Sequence, residues 1–126
     1  MSLRTRLAVA PVIVFIGLTS PSFAHEAAKG PNGGLRVDAG KFHTELVADG
    51  TTKVTVFLGD AEQKPIPAAG FTGNAILVID GKSQRFPLEP ADGSKLVGTA
   101  PAPVLSGVKG AIQLTAPDGS TAQGKF

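Results

Sequence analysis

The sequence of 126 residues contains no cysteine, no tryptophan and no tyrosine. Without cysteine there are no disulfide bonds, thiolate metal ligands, cysteine nucleophiles or lipoprotein anchors, so an apolar core must hold the fold together. Without tryptophan and tyrosine, a platform for stacking sugars would depend on seven phenylalanines, of which Phe15 and Phe23 lie near the amino terminus. The composition therefore disfavours a lectin-like function.

Histidine is nearly absent, since His25 and His43 are the only two in the chain. A hydrolytic nucleophile needs a base beside it, and neither histidine lies in a sequence context typical of a nucleophile elbow. The glycine-rich stretch 31–34 lacks the lysine and the following helix of a phosphate-binding loop. We therefore predict that the protein is not an enzyme and uses no organic cofactor.

The longest apolar run lies near the amino terminus, over residues 7–18, and it follows Arg4 and Arg6. Residues 22–24, Ser-Phe-Ala, complete the charge, core and cleavage pattern of a secretory signal peptide. The apolar core is too short to remain as a membrane anchor. The sequence therefore predicts a signal-peptide helix over residues 1–24, cleavage after Ala24, and a periplasmic or secreted protein without a membrane anchor.

Neither sign of charge is in clear excess. The chain has 12 Lys and Arg against 10 Asp and Glu, and loss of Arg4 and Arg6 with the signal peptide leaves ten of each. No cluster of Lys and Arg is present that could neutralise a row of phosphates. Nucleic acid is therefore excluded as a partner.

Turn signals are dense in the rest of the chain, where Asp-Gly and Asn-Gly dipeptides supply the positive φ values of tight turns. These dipeptides begin at Asn32, Asp49, Asp80, Asp92 and Asp118. The runs between them are rich in Val, Ile, Thr, Leu and Phe and predict strands over 35–38, 42–48, 53–58, 74–80, 83–88, 95–100, 111–116 and 121–126. This spacing indicates an all-β fold, an antiparallel immunoglobulin-like β-sandwich of seven or eight short strands over 35–126, preceded by a flexible segment over 25–34.

Alternation along the second and third of these strands predicts how they pair. A three-residue turn over 49–51 would place Leu46 opposite Val54 and give the hairpin one apolar face. His43 and Glu45 would then lie together on the outer, exposed face. Over the whole sheet, the predicted buried side chains include Leu46, Val54, Val56, Ile76 and Val78.

Two pairs of residues are candidate metal ligands. After cleavage, His25 would offer its α-amino group and imidazole to one ion, with the Glu26 carboxylate beside them, a donor set that suits Cu(II) first and Zn(II) next. His43 and Glu45 project to one side of a strand and could hold an ion or complete a site begun by His25. Two histidines are no enrichment, however, and exposed strands often carry histidine, so surface decoration stays open as the alternative.

Residues 31–34 (Pro-Asn-Gly-Gly), 42–47 (Phe-His-Thr-Glu-Leu-Val), 54–60 and 64–66 carry a resemblance to a known family. The pattern resembles a small periplasmic β-sandwich family that is similar to a module near the amino terminus of periplasmic adaptor (membrane fusion) subunits of heavy-metal efflux pumps. The resemblance implies an exported accessory protein in heavy-metal (copper, zinc or cobalt-type) handling, with periplasmic metal-efflux components as partners. It also places His43 and Glu45 on the family's His-x-Glu positions.

Two alternative functions from other classes stay open. The protein could be a structural or interaction module that docks onto a periplasmic partner through an outer sheet face or an edge strand, without binding metal. A hydrolytic or redox activity at a bound metal is disfavoured, because the chain has no base beyond the two histidines.

Overall fold

The computed structural model describes residues 27–126, so the predicted signal peptide over 1–24 and the predicted ligands His25 and Glu26 lie outside the described residues. Nine strands are present in this part of the chain: β1 (Ala28–Lys29), β2 (Leu35–Ala39), β3 (Phe42–Ala48), β4 (Lys53–Gly59), β5 (Thr72–Ile79), β6 (Lys82–Pro90), β7 (Lys95–Thr99), β8 (Lys109–Thr115) and β9 (Thr121–Lys125). The eight strands β2 to β9 correspond to the eight predicted from sequence, which confirms the all-β class. Residues 27–126 include no helix with the length and apolarity needed to cross a membrane.

The strands form a closed barrel. Each pair of neighbours is antiparallel, and the order runs β2–β3–β4–β7–β6–β5–β8–β9 and back to β2. The short β1 pairs with the start of β2, on the edge that faces away from β3. The predicted immunoglobulin-like β-sandwich is therefore wrong. A sandwich and a small barrel use the same short alternating strands and the same turns, and they differ only in whether the sheet edges join.

Two narrow seams close the barrel, and each carries an inward-facing glycine. β6 and β7 pair over only two residue pairs, and β2 and β9 pair only through Ala39 and Gly124. A Cβ atom at Gly124 would lie 2.9 Å from a methyl group of Val37, and one at Gly98 in β7 would lie 2.6 Å from the carbonyl oxygen of Pro87 in β6. Because neither glycine has a side chain, the strands can approach closely enough to join.

The barrel interior is filled by apolar side chains from every one of the eight strands. Leu46, Val54 and Val56 are buried as predicted. Ile76 and Val78 are not, because β5 turns the opposite set of residues inward, namely Ala75, Leu77 and Ile79. The largest fully buried side chains are Leu77, Leu88, Leu96, Ile112, Leu114, Val54, Val56 and Val104.

The β3–β4 hairpin keeps its predicted faces but not its predicted register. Leu46 lies opposite Val56 and not Val54, a shift of two residues that leaves every side chain on the same face. The longer connection is fixed by the segment that follows β7: the Gly50 N–H donates to the Val104 carbonyl, and the Val104 N–H donates to the Thr51 carbonyl, at 2.8 and 2.9 Å. These contacts come from residues about fifty positions away, so the local pattern does not contain them.

Two surface turns use the same side-chain hydrogen bonds. The Asp49 carboxylate accepts from the backbone N–H and hydroxyl of Thr51 at 3.0 and 2.6 Å, and the Asp118 carboxylate accepts from those of Ser120 at 2.9 and 2.6 Å. These hydrogen bonds lower the pKa of both carboxyl groups, and the bond from the hydroxyl has a larger effect than the bond from the backbone N–H. Each carboxylate therefore adds stability above its ordinary pKa of 3.8, and the folded protein loses this contribution as the pH falls through the lowered value.

Candidate functional site

The predicted His-x-Glu pair lies on the outer wall formed by β2, β3 and β4. His43 is opposite Asp38 on β2 and Gly59 on β4, while the next outward row places Glu45 between Arg36 and Phe57. Val37, Ala39, Thr44 and Leu46 point into the barrel from the same two strands. The alternation of the sequence therefore brings His43 and Glu45 to one face, as predicted.

The His43 imidazole is held from both sides. Its Nδ1 atom lies 2.9 Å from the Asp38 carboxylate, and its Nε2 atom lies 3.3 Å from the Ala61 carbonyl oxygen in the loop after β4. The His43 side chain keeps only 18% of its surface exposed, so the prediction of a largely exposed histidine is not met. A neutral imidazole has one N–H, so it donates either to Asp38 from Nδ1 or to Ala61 from Nε2; the Asp38 carboxylate on Nδ1 fixes the orientation of the ring.

Glu45 is buried, with 3% of its surface exposed, so the prediction that it is exposed is wrong. Its carboxylate accepts hydrogen bonds from the Asn32 backbone N–H at 2.8 Å, from the Asn32 side-chain amide at 3.0 Å, and from the Gly34 backbone N–H at 3.0 Å. The turn between β1 and β2 thus folds over the outer wall and covers the side chain. These donors occupy the oxygen atoms that a metal ion would need.

Glycine at two positions allows this turn to sit on the wall. A Cβ atom at Gly30 would lie 2.2 Å from the carboxyl carbon of Glu45, and one at Gly34 would lie 2.1 Å from the Leu46 carbonyl oxygen. Neither distance is compatible with a side chain. Gly30, Gly34 and Glu45 therefore form one structural unit with Asn32, which we call the carboxylate clasp.

Sequence analysis did not identify Asp38 as part of the site. The signal was present, because Gly40 and Lys41 form a two-residue connection between β2 and β3 that places Asp38 directly opposite His43. A shallow cavity of about 60 Å³ lies over these strands, and its lining includes Arg36, His43, Glu45 and Gln63. This volume is about twice the share of one water molecule in the liquid.

Among residues 27–126, no group of three or more His, Asp and Glu side chains is gathered closely enough to hold a metal ion. Of the predicted ligands, the structure describes His43, whose Nδ1 atom lies against Asp38, and Glu45, whose carboxylate accepts hydrogen bonds from Asn32 and Gly34; their role as metal ligands stays a prediction. His25 and Glu26 lie outside the described residues, and their participation stays a prediction. The resemblance to the adaptor module also stays a prediction, because no family model, curated protein or solved structure matches the chain.

Proposed function

We propose that the protein is an exported, non-enzymatic accessory in heavy-metal (copper, zinc or cobalt-type) handling, which binds Cu(II) or Zn(II) through nitrogen ligands. The observation that supports this proposal is the Asp38–His43 pair. Histidines that bind metals commonly donate their second ring N–H to a carboxylate, which fixes the ring and makes the free nitrogen a better ligand. In the tautomer that donates from Nδ1, His43 has this arrangement at 2.9 Å; Nε2 then carries no hydrogen, so it makes no hydrogen bond to the Ala61 carbonyl oxygen at 3.3 Å and has a lone pair for an ion.

The direction of β1 supports a contribution from the amino terminus. Ala28 lies opposite Arg36, and the antiparallel pairing directs Ala27 toward the Asp38 side of Arg36. His25 precedes Ala28 by three residues, which span at most about 10 Å of extended chain. His43 lies two residues farther along than Arg36 and two strands away from β1, about 12 Å from Ala28, a gap that three extended residues together with the His25 side chain would span. Glu45 is left out of this ligand set.

The test is a calorimetric titration of the processed protein with Cu(II) and with Zn(II), after mass spectrometry has verified that the chain begins at His25. We expect His43→Ala to abolish the tight phase, and Asp38→Asn to weaken binding by about 10- to 100-fold because the ring loses its orienting acceptor. Adding one glycine before His25 should also weaken binding, because it separates the α-amino group from the imidazole. Glu89→Gln, an exposed carboxylate on β6 across the barrel, is the matched control for Asp38→Asn and should bind as the parent protein does.

Two results would contradict the proposal. One is a parent protein that binds neither ion more tightly than about 1 µM. The other is a tight site that both His43→Ala and the amino-terminal glycine leave unchanged. Either result would favour the alternative of an interaction module that docks onto a periplasmic partner without metal.

A further inference from the structure

The outer face of β5 carries apolar side chains that the packing of the barrel interior does not require. Residues 75–79, Ala-Ile-Leu-Val-Ile, form an uninterrupted apolar run, a pattern typical of strands that are covered on both faces. Ala75, Leu77 and Ile79 fill the barrel, but Ile76 and Val78 point outward, and Val78 keeps 48% of its surface exposed. Two of the five residues in this run are therefore not buried by the barrel.

A groove continues from this apolar surface. Val78 and Leu105 are the two exposed large hydrophobic residues of the chain from 27 to 126, with 48% and 71% of their surface exposed. Both line one groove of about 330 Å³, together with Pro103, Val108 and Lys109. Ligand pockets of this volume accommodate a few side chains of a bound segment. The groove and the outer face of β5 thus form one continuous surface, which we call the Val78 surface.

Positive charge surrounds the Val78 surface. One outward row across four strands reads Arg85, Ile76, Ala111 and Lys125, and the neighbouring row places Lys109 next to Val78. Neither row contains an acidic residue; the nearest acid in sequence, Asp80, lies in the β5–β6 turn at the rim of the groove. Three cations therefore flank an exposed apolar strip, and only a partner with the opposite charge would complement it.

We propose that the Val78 surface is a docking site for an acidic, extended segment of a partner protein that carries apolar side chains. The apolar side chains would lie on Ile76 and Val78 and enter the groove beside Leu105. The carboxylates would face Arg85, Lys109 and Lys125. The apolar strip lies on β5, which β8 and β9 separate from β2, whereas the Asp38–His43 pair lies on β2 and β3. The docking proposal therefore does not require metal binding.

The experiment uses two fluorescein-labelled eight-residue peptides, one of alternating aspartate and leucine and one of alternating lysine and leucine, with binding measured by fluorescence anisotropy on the processed protein. We expect the acidic peptide to bind and the basic peptide not to bind, with affinity falling as salt is raised. Lys109→Glu should weaken binding about fivefold, and the double change Val78→Ser with Leu105→Ser should weaken it about tenfold or more. Lys53→Glu, an exposed charge reversal on β4, should leave the affinity unchanged.

Variants enter the comparison only when their thermal unfolding matches that of the parent, which is expected because all the changed side chains are exposed. The proposal is overturned if the acidic peptide fails to bind at about millimolar concentration, or if it binds all variants equally. It is also overturned if phosphatidylglycerol vesicles bind through Lys109 and Val78 while the peptide does not, or if the protein alone dimerises through this surface.

Discussion

Replacing Glu45 with alanine is expected to lower the free energy of unfolding by about 2–4 kcal/mol, because the carboxylate is buried and accepts hydrogen bonds from both Asn32 and Gly34. Its removal leaves the backbone N–H groups of Asn32 and Gly34 without their acceptors. Equilibrium unfolding in urea measures the loss. Hydrogen exchange should locate it, since the amides of residues 30–34 should exchange faster while those of β5 and β8 keep their relative protection.

Two further variants test whether the clasp acts as one unit. Glu62→Ala removes a carboxylate of the same type from an exposed loop position and should change stability by less than about 0.5 kcal/mol. Gly30→Ala places a Cβ atom against the Glu45 carboxyl group, so it should be strongly destabilising in the parent but nearly neutral once Glu45 is alanine. If Glu45→Ala unfolds at the same urea concentration as Glu62→Ala, the carboxylate does not hold the turn.

The sequence was informative wherever local chemistry decides the structure. Asp-Gly and Asn-Gly dipeptides marked the turns, and the alternation over 42–48 assigned His43 and Glu45 to one face and Leu46 to the other. These features depend on neighbours within a few residues, so they can be predicted from one chain. The pairing of β3 with β4 was shifted by two residues, because Val104, distant in sequence, fixes the length of the turn.

Closure of the barrel could not be predicted in the same way. It depends on two seams at which strands meet over one or two residue pairs. The only trace in the sequence is Gly98 and Gly124, each at an inward position of a short strand. A glycine within a strand marks close approach of another backbone, but the sequence does not say which backbone approaches.

The shared face of His43 and Glu45 was predicted correctly, but their exposure was not. Alternation states which face a side chain occupies, but it does not state what covers that face. The turn over 30–34 covers Glu45 and donates hydrogen bonds to its carboxylate, whereas Asp38 was overlooked although its hairpin places it opposite His43. The turn that buries Glu45 makes a tertiary contact from outside the sheet, so the alternation along β3 could not predict it.

Strand β5 was assigned the wrong inward face for a different reason. Residues 75–79 are all apolar, so the pattern has no alternation and fits either face equally well. The inward face of β5 is set by the neighbouring strands, where Leu77 lies opposite Gln84 and Gly110. Because Gly110 has no side chain, β8 can approach β5 closely; a Cβ atom there would lie 2.1 Å from the Ile76 carbonyl oxygen. Two adjacent residues of nearly equal hydrophobicity therefore have opposite environments.

Leu77→Ala is accordingly expected to cost about 2–5 kcal/mol, while Val78→Ala should cost less than about 1 kcal/mol. Leu77 is fully buried and its truncation leaves a cavity in the barrel, whereas the Val78 side chain is 48% exposed and loses only partial contacts. Urea unfolding of both variants, with Ile112→Ala as a second fully buried position on the neighbouring strand, measures the difference. The reverse order, with Val78→Ala severe and Leu77→Ala mild, would mean that Ile76 and Val78 face the core. In that case the apolar strip on the outer wall, and the docking site that depends on it, would not exist.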